Sequence, residues 1–422
     1  MLAALLLATL PGLVPAPVGP SSPAARALTP AVATSAASEA RLSQDAAGTW
    51  ILEELDGSQR RVPVATGASA ALELGEALFL RFEPGAGQEA PAAPTGAALE
   101  LELAGAAGRL VGVLSGGEGE RLRGLLPGGS LVEVPIEGLR ALRLPAALEG
   151  RDGRPEPAEE GDRLYLVRGD SLDRLDGLLA GFSAEGVLFE GPLGEATHPW
   201  GEVAALFVEP LEVLEPEGEG RRVEVSLAGG GRLSGLLASL DGSGVRLDLG
   251  PAQVVLGLAD LGELAVVSDR YAFLGDLEPQ DLGPLSPFDD GEPLGQAWVP
   301  QVDRSVLGGP LRVGGRTWGR GLGVHAPSRV RWALDGGWDR LRLRVGLDDS
   351  GVRGTRRGRA RFRIRVDGEV RWESVDVEAG AAAQVAPPVD LRGAKVLELE
   401  VEPGADWVLD RANWLRPLLV RG

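Results

Sequence analysis

Apolar and polar residues alternate along most of this chain, and glycines cut the alternation into short runs. Between Gly48 and Asp269 one grammar repeats: an alternating strand, a glycine turn, a strand containing Gly-Leu-Leu, a second turn and a closing strand. It is clearest in Leu99–Leu144, Arg163–Val208 and Val223–Val267, with a shorter copy at Trp50–Phe82. Period-two alternation means strands, and recurrence at roughly fifty residues means repeated small modules. A strongly bent five-stranded barrel of the SH3 or Sm type suits each copy. Pro-rich and acidic breaks at Pro84–Pro94, Arg151–Glu160 and Glu215–Gly220 separate β-rich repeat modules over 48–150 from barrel-like modules at 161–210 and 221–269.

Over 271–422 the strand signals become denser: PLRV, RVRWAL, RLRLRVGL, RARFRIRV, VRWESVDV, KVLELEV and WLRPLLV. So many strands joined by short turns predict an all-β, two-sheet sandwich. Tyr271–Pro300 reads as an irregular lead-in that packs on it through Tyr271, Phe273, Leu274 and Trp298. The alternation also puts Arg329 and Arg331, then Arg340, Arg342 and Arg344, then Arg361, Arg363 and Arg365, on single strand faces. Like charges side by side are unfavourable unless compensated. An acidic surface, with the chain's own N-terminal part the nearest candidate, or an anionic glycan would cover this face. The competing reading is a solvated face whose arginine stems lie along apolar surface.

Composition narrows the function. A length of 422 residues points to two to four domains. With no cysteine there are no disulfides, thiol nucleophiles or lipoprotein anchor. The net charge of −19 excludes nucleic acid as a general partner. From Asp303 onward there are 22 basic and 16 acidic residues, so this part carries +6 and the remainder −25. Met1–Val18 has an apolar core too short to span a bilayer, and residues 1–27 read as a signal peptide followed by a flexible linker at 28–47. The expectation is an exported protein, periplasmic or extracellular, without a transmembrane anchor. Catalysis is not expected: there is no Gly-x-Ser-x-Gly, P-loop or metal-ligand histidine pair, and only a carboxylate-pair glycosidase stays open. Trp200 beside His198 reads as a core plug, and Asp170, Asp173 and Asp176 as solvated turn residues.

The densest stretch is Thr317–Ser328, TWGRGLGVHAPS, followed by the strands Arg329–Leu334 and Arg340–Leu347 and then Asp348-Asp349-Ser350. GGPLRVGGRTWGRGLGVHAPS, GWDRLRLRVGLDD, FRIRVDGEVRWES and DRANWLRPLLV, in this order, resemble the NPCBM/NEW2 domain, associated with glycoside hydrolase family 98 and also classed as carbohydrate-binding module family 51. The resemblance covers roughly 271–422 and implies a galactose-binding-like jelly-roll sandwich, a sugar-binding loop face and often a structural calcium. A lectin-type site needs an aromatic platform and planar polar side chains for paired hydroxyls. Trp318, Arg320, His325, Arg411, Asn413 and Trp414 supply those types. Trp318 and Trp414 can equally be packing residues, and His325 a structural hydrogen-bonding group. Asp348 and Asp349 can ligate calcium, pair with arginine or cap a loop. Trp332, Trp338, Trp372 and Trp407 read as core. The expectation is a non-catalytic protein that binds a glycan or polysaccharide through its C-terminal module, its N-terminal modules serving as spacer or as docking surface for a protein partner. The alternative is a structural or protein-interaction component of the cell envelope that binds no sugar.

Overall fold

The computed structural model describes residues 46–65, 72–85, 92–105, 108–151, 154–209, 216, 220–282, 298–404 and 407–421. The expected signal peptide, and the linker up to Asp45, lie outside them. Eighteen strands between Ala46 and Val266 pair into one sheet. Three five-stranded units occupy Ala98–Arg143, Asp162–Phe207 and Arg222–Val266. In each, the first strand pairs with the second and the fifth, while the second, third and fourth follow as a meander. The second strands are long, Gly108–Glu118, Ser171–Phe182 and Gly231–Leu240, and each has a register shift that lets it bend. At Gly177 the bend brings the backbone onto the Glu190 carbonyl, where a Cβ would collide.

The repeats are joined edge to edge. Ala205–Phe207 pairs with Ala141–Arg143, Gly231–Leu233 with Gly108–Leu110, and Leu264–Ala265 with Phe79–Leu80. One apolar cluster runs through all of them, from Trp50 to Val266. Trp200 packs against it, stacked on Phe182 at 6.2 Å. Asp173 and Asp176 are exposed, as their reading as solvated residues expects, but they lie on the strand Ser171–Phe182 and not in the turn, ion-paired across their hairpin with Arg168 at 3.5 Å and Arg163 at 2.5 Å.

The C-terminal part is a two-sheet sandwich. One sheet is built on Arg411–Val420, flanked by Gly321–His325 and Arg340–Leu347, with Tyr271–Phe273 also pairing to it. The other has the order Ser328–Ala333, Val396–Pro403, Arg359–Val366, Glu369–Glu373. Trp332, Phe362, Ile364, Val345 and Trp414 fill the space between. Trp338 is core as expected, and Trp372 is half-buried against it.

The arginine faces are compensated in a way the alternation alone did not show. Val396–Pro403 lies between the two arginine strands of the second sheet, and its Glu398, Glu400 and Glu402 stand opposite Arg365, Arg363 and Arg361. Arg363 meets Glu402 at 2.6 Å and Glu373 at 2.8 Å, Arg365 meets Glu400 at 2.8 Å, and Arg331 meets Glu398 at 3.2 Å. That face needs no glycan to neutralise it.

The lead-in strand Tyr271–Phe273 carries the sandwich onto the N-terminal sheet. Its two aromatics join Leu55, Phe79, Ala265, Leu418 and Val420 in a shared apolar cluster. Asp45–Gly422 therefore forms a single compact unit.

Candidate functional site

The stretch that marks the sandwich lies at its junction with the N-terminal sheet. Leu311–Val313 and Arg316–Trp318 form a hairpin, which ends on Trp318. The indole packs on Leu311, Val313 and Leu415 and is 9% exposed. The guanidiniums of Arg316 and Arg344 lie 4.1 and 5.8 Å from its ring centre. Gly319 follows because the backbone passes directly over the Ser226 side chain, leaving no room for a Cβ.

Arg320 is 5% exposed and cannot present itself to a ligand. Its two terminal nitrogens donate to Asp276 at 2.7 Å each, to Glu224 at 2.7 Å and to Asp303 at 3.1 Å. The guanidinium also sits 4.3 Å over the Phe273 ring. Burial opposes its charge, but Asp303, Glu224 and Asp276 outweigh burial and hold the guanidinium above its ordinary pKa. This corrects the expectation of a sugar contact: Arg320 ties the sandwich to the N-terminal strand Arg222–Leu227. Arg416 and Arg342 act likewise. Arg416 donates to Glu53 at 2.9 Å and to Glu263 at 3.0 Å, and Arg342 donates to Glu53 at 2.7 Å.

The other predicted residues are drawn inward. Trp414 is fully buried, edge-on to Phe362 at 5.0 Å, so it is core and no platform. Asn413 is fully buried and donates to Asp348 at 2.9 Å. His325 is 3% exposed, stacked on Trp298 at 4.8 Å, with Nδ1 2.8 Å from the Ala326 carbonyl. Burial lowers its pKa, which keeps the ring neutral. Arg411 donates to the Ser350 carbonyl at 2.7 Å. Asp348 accepts from the Ser350 and Arg312 amides at 3.0 and 3.2 Å, besides Asn413. Asp349 accepts from the Gly314 and Gly315 amides at 2.8 and 2.9 Å. The pair thus caps loops, and its oxygens are directed at protein donors. No cluster of three or more His, Asp or Glu suited to a metal occurs among the described residues. As placed, Asp348 and Asp349 do not fit a calcium site.

Two concave spaces flank Trp318. The larger, about 1040 Å³, lies between the strands Ala98–Leu103 and Gly108–Glu118, the turn Gly229–Gly231 and the sandwich loop Val302–Pro310. Its polar groups include three guanidinium–carboxylate pairs: Arg109 with Glu100 at 2.9 Å, Arg143 with Glu102 at 3.2 Å, and Arg232 with Asp303 at 3.0 Å. Arg304 also lines it, donating to the Gly308 carbonyl at 3.3 Å. Its pKa is held below the ordinary range, first by burial and then by Arg109. The second space, about 370 Å³, lies on the other side of Trp318. Neither space was legible in the local motif, because each needs walls contributed by strands far away in sequence.

A relative from Renibacterium salmoninarum, named "Putative endo-alpha-N-acetylgalactosaminidase", is 36% identical over 94 residues, which are 22% of this chain and 6% of that protein. The chain therefore spans only a small part of that curated relative. Among solved structures, the CBM51 of a Clostridium perfringens GH95 protein, in complex with methyl-galactose, is 22% identical. It aligns with a TM-score of 0.30 over 36% of this chain and 99% of that one. The tandem CBM51 modules of the family 98 glycoside hydrolase from Streptococcus pneumoniae are 15% identical, with a TM-score of 0.31 over 70% of this chain and 84% of that one. The family model of the NPCBM/NEW2 domain matches residues 283–420. The C-terminal sandwich of this chain is an NPCBM/NEW2 domain.

Proposed function

We propose that the chain is an exported, non-catalytic glycan-binding protein whose ligand lies in the larger cleft beside Trp318. The NPCBM/NEW2 match over the sandwich carries the reading. The cleft supports it chemically: paired guanidiniums and carboxylates are planar groups that can engage adjacent sugar hydroxyls bidentately, and its volume of about 1040 Å³ is ample for an oligosaccharide. The N-terminal units, read as small SH3- or Sm-like barrels fused edge to edge, supply one wall and so do more than hold the sandwich at a distance. Export rests on the apolar leader at 1–27. The described residues include no helix long and apolar enough to cross a membrane.

A glycan array on the full chain tests the proposal. Binding should be weakened about tenfold by Arg304→Ala and by Glu102→Ala, which remove single hydrogen-bonding groups from the cleft wall. Silence across the array, or binding indifferent to both changes, overturns it. The structural reading, an envelope component that binds no sugar, is favoured by one observation: Arg320, His325, Asn413 and Trp414 are all buried. It predicts array silence together with retention of a protein partner from an envelope extract.

A further inference from the structure

Three arginines of the larger cleft are held in ion pairs, and the groove on the other side of Trp318 contains an arginine, Arg316, that forms none among the described residues. That groove, about 370 Å³, is bounded by the strand Phe79–Pro84, the turn Leu258–Leu261 and the hairpin ending at Trp318. Arg81 and Arg316 line it, with the neutralised Arg320 and Arg416 behind them, against two carboxylates, Glu83 and Glu263. Both carboxylates are already engaged. Glu83 serves Arg61 at 2.6 Å and Arg81 at 2.9 Å, and Glu263 serves Arg416 at 3.0 Å. Arg316 and Arg344, the two guanidiniums beside the Trp318 ring, form no ion pair among the described residues. Buried beside them, the indole Nε1 of Trp318 has no acceptor among the described residues.

Neighbouring guanidiniums repel one another. The Arg344 guanidinium is held below its ordinary pKa, first by burial and next by Arg81 and Arg416. A chain with 61 acidic residues to 42 basic ones has placed a surplus of arginine in this one groove. A ligand for the Arg316 guanidinium in this positive surrounding must offer acceptor oxygens and negative charge.

We propose that this groove binds an anionic group, a sulfate ester or carboxylate carried on a glycan, at the Arg316 guanidinium where it lies on the Trp318 ring, with Arg344 beside the same ring adding to the positive field. The sugar carrier rests on the glycan-binding reading above; the preference for an anion rests on the groove alone.

The test compares binding of the full chain to dextran, dextran sulfate and polygalacturonate, with free sodium sulfate as competitor. Dextran sulfate or polygalacturonate should bind at least about tenfold more tightly than dextran at moderate salt. Sodium sulfate should displace the bound polymer. Arg316→Gln should weaken binding about fivefold, and Arg344→Gln should do the same. Arg353→Gln makes the same charge change on an exposed hairpin of the sandwich and should leave binding unaltered. Matching thermal unfolding curves establish that the variants are folded, and either of the first two suffices if the other is not. Equal losses from Arg316→Gln and Arg353→Gln would reduce the effect to bulk charge and overturn the proposal, as would equal affinity for dextran and dextran sulfate. If the neutral-glycan array is silent while the anionic arms behave as stated, the groove stands and the larger-cleft reading falls.

Discussion

Arg361, Arg363 and Arg365 on one sheet and Arg340, Arg342 and Arg344 on the other arise from the same alternation, yet they meet different surroundings. The first set is neutralised inside its own sheet, because a glutamate strand runs beside it. The second belongs to the sheet that faces the N-terminal half: Arg342 takes its counter-charge from there, on Glu53, which also holds Arg416, while Arg344 forms no ion pair among the described residues. A strand pattern therefore specifies which way side chains point, while the neighbour decides whether the charge is solvated, paired or buried. The exposed pairs contribute modestly, and the buried ones hold two halves of a molecule together.

The sharpest way to break this contrast is to remove one buried partner. Arg416→Met leaves Glu53 and Glu263 short of a counter-charge and should destabilise the chain by about 3–5 kcal/mol in urea unfolding. Arg365→Met, on the self-neutralised face, should cost less than about 1 kcal/mol. Similar values for the two would refute the distinction. Next comes Gly319→Ala, whose methyl group overlaps Ser226; overpacking of this kind should cost about 1–3 kcal/mol without touching any charge.

Acidification should produce a smaller effect at the junction. Burial raises the Glu53 pKa, but Arg416 and Arg342 together prevail, so the folded value lies below the ordinary 4.5. The unfolded chain then binds the proton more readily, and the stability due to Glu53 is fully present above about pH 4.5 and lost as pH falls through the folded value. Melting temperature should drop below pH 4.5, and Glu53→Gln should flatten that part of the profile. The smallest effect belongs to the exposed face: any loss of stability in Arg361→Gln should largely vanish in about 1 M NaCl, where exposed charges are screened. A loss that persists in salt would show that this face, too, is buried in some assembly.

Much of the architecture was legible in the alternation. Strands appear where RVRWAL, RLRLRVGL and RARFRIRV placed them. The glutamates of VLELEVEP were an available signal for the compensating strand, since Glu398, Glu400 and Glu402 repeat with the same period as the arginines. What the sequence could not show was that this late strand inserts between two earlier ones. The candidate site was misjudged for a related reason. Trp318, Arg320 and His325 are residue types that suit a sugar, but whether they face solvent depends on Ser226, Glu224 and Trp298, which the motif does not contain. Local chemistry identified the domain, and only tertiary contact revealed which of its side chains remain available.

The Glu53–Arg416 contact spans 363 positions. A chain made from its N-terminus outward exposes that carboxylate long before its partner exists. The N-terminal sheet can assemble early from its own hairpins, but the junction must wait for Arg411–Val420, the strand to which three others pair. Closure of the junction must therefore follow the making of that strand, and until it happens Glu53 has neither Arg342 nor Arg416 to bind. The acidic half's surplus of negative charge keeps that waiting form apart from other copies of itself, giving the lopsided charge distribution a use before the native state is reached.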